Sequence, residues 1–307
     1  MKLAAVDIGS NAIRFQITNV LVYNGATSFK KVEYVRFPLR LGQDVFSLKR
    51  IGPEKEAKFL KLMHTFKMLF ELYEVDDYII CATSAMRESE NGREIAQKVQ
   101  DQLGLEINII DGDKEADIIN KVIRFQIEEG NLIHIDVGGG STELNIFQGK
   151  VKVAAQSFKI GHVRRLGGEE SPEEWERMSS WIKQNITDQL LPIKAIGTGG
   201  NISKIYELAN IPRARNQIPH ININSIENVQ KMLSRYTLEE RINILMLNPD
   251  RADVILPASE IYLTVMKWAK ATDIAVPDVG LKDGLLLLLY EKHESVIDRL
   301  RIESSSN

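Results

Sequence analysis

The chain has 307 residues, 44% of them hydrophobic and 26% charged, which excludes a disordered protein, and its length favours two domains over one. The formal net charge of −3 argues against general nucleic-acid binding, because proteins that bind nucleic acids usually carry a basic domain. The chain has a single cysteine (Cys81), and no apolar run approaches the ~20 residues of a membrane span. A strand begins at Lys2, where a signal peptide would stand. These features predict a cytoplasmic protein that acts away from membranes.

The first half of the chain alternates strand and helix patterns. Apolar strands rich in β-formers are predicted over 2–7, 14–20, 31–38, 78–82 and 107–110. Amphipathic helix patterns cover 53–73, 91–103 and 114–127. Such alternation is typical of an α/β lobe.

The second half begins with the same strand–turn–strand pattern. Strands are predicted over 132–136, 143–148, 150–158, 193–196 and 274–275, and helices over 173–189, 203–208, 250–269 and from 281 onward. We therefore expect a first lobe over 1–122 and a second over 123–290, with a hinge near 121–127. A C-terminal helix over 291–307 can pack back on the first lobe.

Two strand–turn–strand segments, over 5–11 and 135–143, share one pattern: an Asp ends the strand, and glycine and hydroxyl residues form the turn. Asp7 and Asp136 offer the oxygen ligands that Mg²⁺ prefers beside phosphates. The glycines allow the backbone to approach phosphate oxygens. One such segment alone would be an ordinary hairpin turn. Two in the same context predict paired lobes whose turns face one phosphate-binding cleft.

Three further segments have both a functional and an ordinary interpretation. The glycine-rich segment 197–201 follows a strand and opens a helix, so it is either an anion site or a tight connection. Arg87 has the planar fork that suits phosphate, although the local sequence favours Thr83 or Ser84 as a helix N-cap with Arg87 on a solvated face. Glu115, in a first helical turn, either complements the helix dipole or acts as a general base.

In order along nearly the whole chain, these segments resemble the exopolyphosphatase/guanosine pentaphosphate phosphohydrolase (Ppx/GppA) family. The motifs that carry the resemblance are Asp7-Ile8-Gly9-Ser10-Asn11, Ala82-Thr83-Ser84-Ala85-Met86-Arg87, Glu115-Ala116, Asp136-Val137-Gly138-Gly139-Gly140-Ser141-Thr142-Glu143, Gly197-Thr198-Gly199-Gly200, Arg251-Ala252-Asp253-Val254-Ile255 and Asp278-Val279-Gly280-Leu281-Lys282-Asp283-Gly284. The set is far more specific than any one member of it.

The resemblance implies an α/β fold of two ribonuclease-H-like lobes, of the actin/hexokinase/Hsp70-like superfamily, with the active site in the cleft between them. It also implies hydrolysis of a terminal phosphoanhydride with Mg²⁺ or another divalent cation, and commonly a homodimer. Glu115 matches the family's general base, while Asp7, Asp136 and Glu143 match acidic positions that organise metal and water. The family's phosphate-contacting positions are matched by Ser10, Asn11, Arg87, Gly138, Gly139, Gly140 and Ser141.

The chain departs from the family's pattern at three motif positions. Ala12 stands where a hydroxyl residue is common, Lys114 replaces one member of a Glu-Glu pair, and Asn201 stands where Thr is usual. Little sequence follows Gly284, so the long helical extension with which larger members bind long polymers is not expected. Short phosphate chains are therefore favoured over long ones.

The leading hypothesis is Mg²⁺-dependent hydrolysis of the terminal phosphoanhydride of inorganic polyphosphate, with release of orthophosphate. One alternative is removal of the 5′ phosphate of guanosine pentaphosphate, because the glycine-rich turn at 197–200 does not settle whether a nucleoside binds. A second is a phosphotransferase of the same superfamily, against which the segments around Arg87 and Glu115 count. A third is a non-catalytic sensor of polyphosphate or guanosine tetraphosphate.

Overall fold

The chain is described by a computed structural model over residues 1–124, 130–168, 171–212 and 217–305, with side chains through Glu294. In these ranges the strands form two sheets. The first contains β1 (Lys2–Ile8), β2 (Ile13–Tyr23), β3 (Ala26–Phe37), β4 (Asp77–Ala82) and β5 (Asn108–Ile109), in the spatial order β3-β2-β1-β4-β5. The second contains β6 (Asn131–Val137), β7 (Thr142–Gln148), β8 (Val151–Phe158), β9 (Ile193–Thr198), β10 (His220–Asn222) and β11 (Asp273–Ala275), in the order β10-β11-β9-β6-β7-β8.

Both sheets repeat one topology. In the first, β2 pairs antiparallel with β1 and β3, while β4 runs parallel to β1. In the second, β7 pairs antiparallel with β6 and β8, while β9 runs parallel to β6. This strand order is that of a ribonuclease-H-like lobe, so the predicted fold class is confirmed. The second sheet differs by the added edge strand β10, which pairs antiparallel with β11.

Helices cover the faces of both sheets. The first five are α1 (Leu41–Leu48), α2 (Pro53–Leu72), α3 (Ser84–Glu88), α4 (Gly92–Leu103) and α5 (Gly112–Ile123). Those that follow are α6 (His162–Leu166), α7 (Pro172–Asn185), α8 (Gly200–Leu208), α9 (Ile223–Ser234), α10 (Leu238–Asn243), α11 (Pro249–Ala252), α12 (Ile255–Ala269) and α13 (Leu281–Ser305), with a 3-10 turn at Asp188–Leu190. None of these described helices combines the length and apolarity that a bilayer crossing requires.

Sheets and helices alternate in layers around three apolar cores. α2 and α4 cover one face of the first sheet, where Phe15 of β2 stacks on Phe66 of α2 with ring centroids 4.7 Å apart. α8, α9 and α12 cover one face of the second sheet, and Tyr262 of α12 is fully buried there. α5 and α13 lie between the sheets and share the third core with both.

The third core joins residues from distant parts of the chain. Leu3 and Ala5 of β1 belong to it, whereas the intervening Ala4 belongs to the first core, as the two-residue period of a strand requires. α13 packs on β1, β2, β4 and α5. Its contribution to this core begins with Leu281 and Leu285, so contact with the first sheet starts before the predicted 291–307 segment.

Some predicted elements have different bounds. The helix predicted over 250–269 is divided into α11 and α12 around Asp253, whose Oδ2 lies 2.6 Å from Nη2 of Arg40. α1 was not predicted, because Arg40, which precedes it, takes a left-handed conformation (φ 57°) that no glycine announces. The helix predicted over 114–127 ends at Ile123. Residues 125–127, which are part of the hinge predicted near 121–127, lie outside the described residues.

Among the described residues, the ion pairs that connect the first lobe to the second include Arg36–Asp250, Arg40–Asp253 and Glu88–Arg164. The last is bidentate, since Nη2 of Arg164 lies 2.8 and 2.7 Å from the two carboxylate oxygens of Glu88. The guanidinium of Arg164 also stacks over the ring of Phe46, 4.2 Å from its centroid. Charged contacts therefore hold the two lobes together around the cleft.

Gly284 allows α13 to approach α5 closely, because a Cβ there would overlap the carbonyl of Ile118 and lie 2.7 Å from its Cγ2. We expect Gly284→Ala to lower the free energy of unfolding by about 1–3 kcal/mol through overpacking, measured by urea denaturation. The control is Gly280→Ala, since no atom lies within 4 Å of a Cβ at that position. Unchanged stability of Gly284→Ala would contradict the close contact.

Candidate active site

A polar cavity of about 170 Å³ lies between the turn that follows β1 and the turn that follows β6. Glu115, at the start of α5, also lines this cavity. The polar and charged side chains that line the cavity are Asp7, Ser10, Asn11, Arg14, Tyr34, Arg36, Thr83, Ser84, Glu115, Asp136, Ser141, His162, Asn201, Ser203, Arg251, Asp278 and Lys282. The two glycine turns thus face one cleft, as the sequence predicts.

The two turns have the same backbone geometry. The amide of Gly9 donates to the carbonyl of Ala12 at 3.2 Å, and the amide of Gly138 donates to the carbonyl of Ser141 at 2.9 Å. In both turns the Asp that ends the strand stands two residues before the donating glycine. Ala12, a departure from the family's pattern, therefore occupies in the first lobe the position that Ser141 occupies in the second.

The residue opposite each Asp differs between the lobes. In the first, Arg14 of β2 faces Asp7, and its Nη1 lies 3.0 Å from Oδ2 of the carboxylate. In the second, Glu143 of β7 faces Asp136 in the equivalent register. Asp7 therefore forms an ion pair with its cross-strand neighbour, whereas Asp136 has another carboxylate beside it.

Burial raises the pKa values of the second-lobe acids. Burial, followed by the charge of Asp136, raises the pKa of Glu143 to about 7, against hydrogen bonds from Ser141 and Ser157. Burial likewise raises the pKa of Asp136 to about 6, although a hydrogen bond and the charge of Arg14 oppose the rise. Desolvation and like charge both disfavour the ionised forms, so a cation in this region would be stabilised.

Glu115 lies in the first turn of α5, beside these acids. The helix is capped by Asp111, whose Oδ1 accepts an amide hydrogen bond of the first turn at 2.7 Å. Burial, and then the charges of Glu143, Asp136 and Asp7, raise the pKa of Glu115 well above its usual range. Its Oε2 is buried without a hydrogen-bond partner in the described part of the chain. A ligand or water in the cavity can supply that partner.

α6 sets the orientation of the glycine run after β6. The carbonyls of Gly138, Gly139 and Gly140 accept hydrogen bonds from the amides of His162 and Val163 and from Nε of Arg164, respectively, at 2.8–3.1 Å. Because a trans peptide points its N–H away from its carbonyl, the next three amides face the side opposite α6. A row of N–H groups of this kind forms a concave site for anions.

Gly139 lies close to the turn of the first lobe. A Cβ there would lie 2.8 Å from the Cβ of Ser10 on the opposite turn, so a larger residue would force the turns apart. Oγ of Ser10 in turn lies 2.8 Å from Oγ of Ser84. The cleft is therefore narrow at its glycine end.

Eight of the predicted site residues line the cavity, and three lie behind it. Arg87 donates from Nη1 to the carbonyl of Ile110 at 2.8 Å. Gly140 is packed so tightly that a Cβ would lie 2.6 Å from Oγ of Ser84. Glu143 is only 1% exposed. The roles of these three as direct ligands stay predictions, and the structure places them where they shape or charge the site from outside.

Four cations in the cavity lining were not assigned to the site from sequence: Arg14, Arg36, Arg251 and Lys282. Arg36 pairs with Asp250, and Nζ of Lys282 lies 2.6 Å from Oδ2 of Asp283. The side chain of Arg251 makes no hydrogen bond or ion pair within the described residues, and burial and nearby Arg36 lower its pKa. Two of the four stand inside the recognised motifs, and the hairpin register would have placed Arg14 opposite Asp7.

The acidic side chains suit a hard divalent cation. Among the described residues, no three His, Cys, Asp or Glu side chains are grouped so that they could hold a metal ion. Mg²⁺ does not require such a group, because it usually takes one or two carboxylates and fills its shell with waters and substrate phosphates. Asp136, which lines the cavity, provides such a carboxylate. Asp7, also predicted as a ligand, is engaged by Arg14.

A sequence model described as the Ppx/GppA phosphatase family matches residues 20–293. The chain is 28% identical to a bifunctional 3-dehydroquinate synthase/phosphatase of Fusobacterium nucleatum, with 95% of this chain and 46% of that protein covered. It is 21% identical to exopolyphosphatase 1 of Mycobacterium tuberculosis over 100% of this chain and 92% of the relative. It is 24% identical to a guanosine-5′-triphosphate,3′-diphosphate pyrophosphatase of Aliivibrio fischeri over 96% of this chain and 61% of the relative.

The fold is also found in solved structures. A crystal structure of an exopolyphosphatase from Cytophaga hutchinsonii matches with a TM-score of 0.81 and 21% identity, covering 95% of this chain and 98% of that one. At this identity the likeness establishes a shared fold. The chain spans less than half the length of the Fusobacterium protein, so the match concerns only that part of it.

The raised pKa of Glu143 predicts a pH-dependent stability. Between its ordinary value of 4.5 and about 7, Glu143 is ionised when unfolded but protonated when folded, so stability falls as pH rises through this window. Glu143→Gln removes that cost. In EDTA at pH 8 we expect the variant to be more stable than the parent by about 1–3 kcal/mol, and equal to it near pH 4.

The measurement is thermal or urea unfolding of both proteins across pH 4–8. Glu71→Gln, at an exposed position of α2, is the control and should follow the parent at every pH. A parent that matches or exceeds the stability of Glu143→Gln at pH 8 would show that the buried charge carries no such cost.

Proposed function

The chain belongs to the Ppx/GppA phosphatase family and is a phosphoanhydride hydrolase, and we propose that it releases orthophosphate from the end of inorganic polyphosphate with a divalent cation, Mg²⁺. One observation carries the proposal: the unpaired carboxylate oxygen of Glu115 stands at a cavity bordered by two glycine turns and four cations. Family membership favours hydrolysis over the phosphotransferase and sensor hypotheses.

In the proposed reaction, Glu115 accepts a proton from a water molecule as that water attacks the terminal phosphorus. The bond from phosphorus to the bridging oxygen breaks, and the products are orthophosphate and a chain shorter by one phosphate. A raised pKa makes Glu115 a stronger base once it is ionised. The charge of Arg87 opposes the rise and so favours that ionised form.

Phosphoryl transfer depends mainly on positioning and on stabilising the charge of the equatorial oxygens. The amides that follow Gly138, Gly139 and Gly140 are oriented by α6 before any ligand arrives, so they require little reorganisation during the reaction. Bound near Asp136 and Glu115, Mg²⁺ would neutralise phosphate charge and offset the repulsion among the acids. The shortened phosphate chain would remain bound to the cationic side chains that line the cavity.

A second candidate, hydrolysis of guanosine pentaphosphate, is favoured by a neighbouring cavity of about 420 Å³. It meets the polar cavity at Asp278 and Lys282, and it is lined largely by apolar groups such as Leu286 and Leu287. Gln16 also lines it, and its Oε1 is buried without a partner in the described residues. A flat base carrying N–H donors would fit such a cavity while its phosphates occupy the polar one.

Glu115→Gln tests the proposed base. The substitution removes the proton acceptor but keeps the size of the side chain, so we expect kcat for orthophosphate release from tripolyphosphate to fall ~10²–10⁴-fold. Tripolyphosphate binding should change little. Asp113→Asn, in the same helical turn but exposed, is the matched control and should retain full activity. Full activity of Glu115→Gln would rule out its role as the base.

Leu287→Trp distinguishes the two substrates. The larger ring narrows the apolar cavity, so turnover of guanosine pentaphosphate should lose ~10-fold or more in kcat/KM while turnover of tripolyphosphate is retained. Leu72→Trp, on the exposed surface of α2, controls for the added ring. If the parent releases no orthophosphate from polyphosphate of any length, the first proposal fails; if Leu287→Trp lowers both activities equally, the cavity does not select a base.

A further inference from the structure

Two histidines on the second lobe are buried, but only one has its ring nitrogens satisfied. Nε2 of His134 lies 2.9 Å from Oγ1 of Thr198, and its Nδ1 lies 3.1 Å from Nδ2 of Asn145. His134 is therefore held within the sheet as a structural residue. His162, 5% exposed, has no such partners within the described residues, and its Nδ1 is buried without one.

A buried polar ring without partners requires an explanation, since it loses its hydrogen bonds to water without replacement. His162 lines the polar cavity, where a ligand can supply a partner to Nε2, while Nδ1 stays enclosed by the protein. Because Nδ1 is shielded from solvent, Nε2 is the nitrogen available to a molecule in the cavity. His134 therefore has a structural role, whereas the ring of His162 is available to bind a ligand.

The position of His162 is fixed beside the anion site. As the first residue of α6, it donates its amide to the carbonyl of Gly138 at 3.1 Å. The backbone contact that turns the glycine amides toward a ligand therefore also anchors the imidazole. The ring and the glycine turn therefore border the same cavity.

The charges around His162 differ from those around Glu115. Acids dominate near Glu115. Near His162, burial and then the charges of Arg14, Arg40, Arg251 and Arg36 lower the pKa of the imidazole to about 3. The cavity thus has an acidic end, where water would be activated, and a basic end. The basic end suits the phosphates that are not attacked.

We propose that His162 is a substrate-binding residue whose Nε2 donates a hydrogen bond to a non-terminal phosphate of the bound chain, in an anion subsite shared with Arg36 and Arg251. The assignment rests on the proposed function, because it takes the ligand to be a phosphate chain. Of the three donors, His162 is the one without a formal charge in the empty protein. Its hydrogen bond would orient the phosphate, while the two arginines attract it through their charge.

The test compares tripolyphosphate binding by the parent, His162→Ala and His162→Gln, using isothermal titration calorimetry in EDTA. The carboxamide of Gln can place an N–H close to the position of Nε2. We expect Kd to rise about tenfold in His162→Ala, as for loss of one hydrogen bond to a charged group, and less than about threefold in His162→Gln. His64→Gln, exposed on α2, should bind as the parent does.

A binding role and a structural role give different results. In turnover of tripolyphosphate, loss of the hydrogen bond should raise KM about tenfold with kcat within about threefold, and melting temperatures should show that every variant is folded. Parent-like binding by His162→Ala overturns the proposal. So does equal weakening in the Ala and Gln variants, because the donor would then not matter.

The proposed function and this inference can fail separately. If the parent hydrolyses no polyphosphate yet binds tripolyphosphate in a manner that depends on His162, the proposed reaction is wrong and the subsite stands. If the parent hydrolyses tripolyphosphate and His162→Ala binds it as tightly as the parent, the reaction stands and the subsite is wrong.

Discussion

Repulsion among buried carboxylates is the constraint on which the rest of the cleft depends. Burial raises the pKa values of Glu115, Asp136 and Glu143; the charges of Asp136 and Glu143 raise that of Glu115 further, and the charge of Asp136 also raises that of Glu143. Such a group is tolerated only where positive charge is at hand or arrives with a ligand. Positive charge near these acids comes from three sources: the cations that line the cavity, the ordered amides, and the metal cation proposed at Asp136.

The electrostatic polarity of the site comes from one hairpin used twice. Both lobes place an Asp at the end of their first strand, and both close the turn by the same hydrogen bond. They differ at the facing position, which holds Arg14 in one lobe and Glu143 in the other. A fold with near two-fold repetition therefore produces a cavity with unlike ends. The difference in charge between the two ends would orient a bound phosphate chain in one direction, whether or not the chain carries a nucleoside.

Local pattern predicted both hairpins and the paired turns, because strand period and glycine position are properties of neighbouring residues. It did not predict the pairing of Arg36 with Asp250, which are 214 positions apart, or the basic end of the cavity that such residues form. It also could not separate Gly140, enclosed by its neighbours, from Gly139, which borders the cavity. The resemblance supplied the predicted role of Glu115 as a base, and the structure added the observation that its Oε2 has no hydrogen-bond partner among the described residues.

α13 lies in the layer between the sheets, and this arrangement has a consequence for biosynthesis. The face of β1 that carries Leu3 and Ala5 shares its core with Leu285. During translation that face therefore lacks part of its cover until the second lobe has been made. The core that the first lobe shares with α13 therefore forms only after the second lobe has been synthesised, although the strands of the first sheet all come early in the sequence.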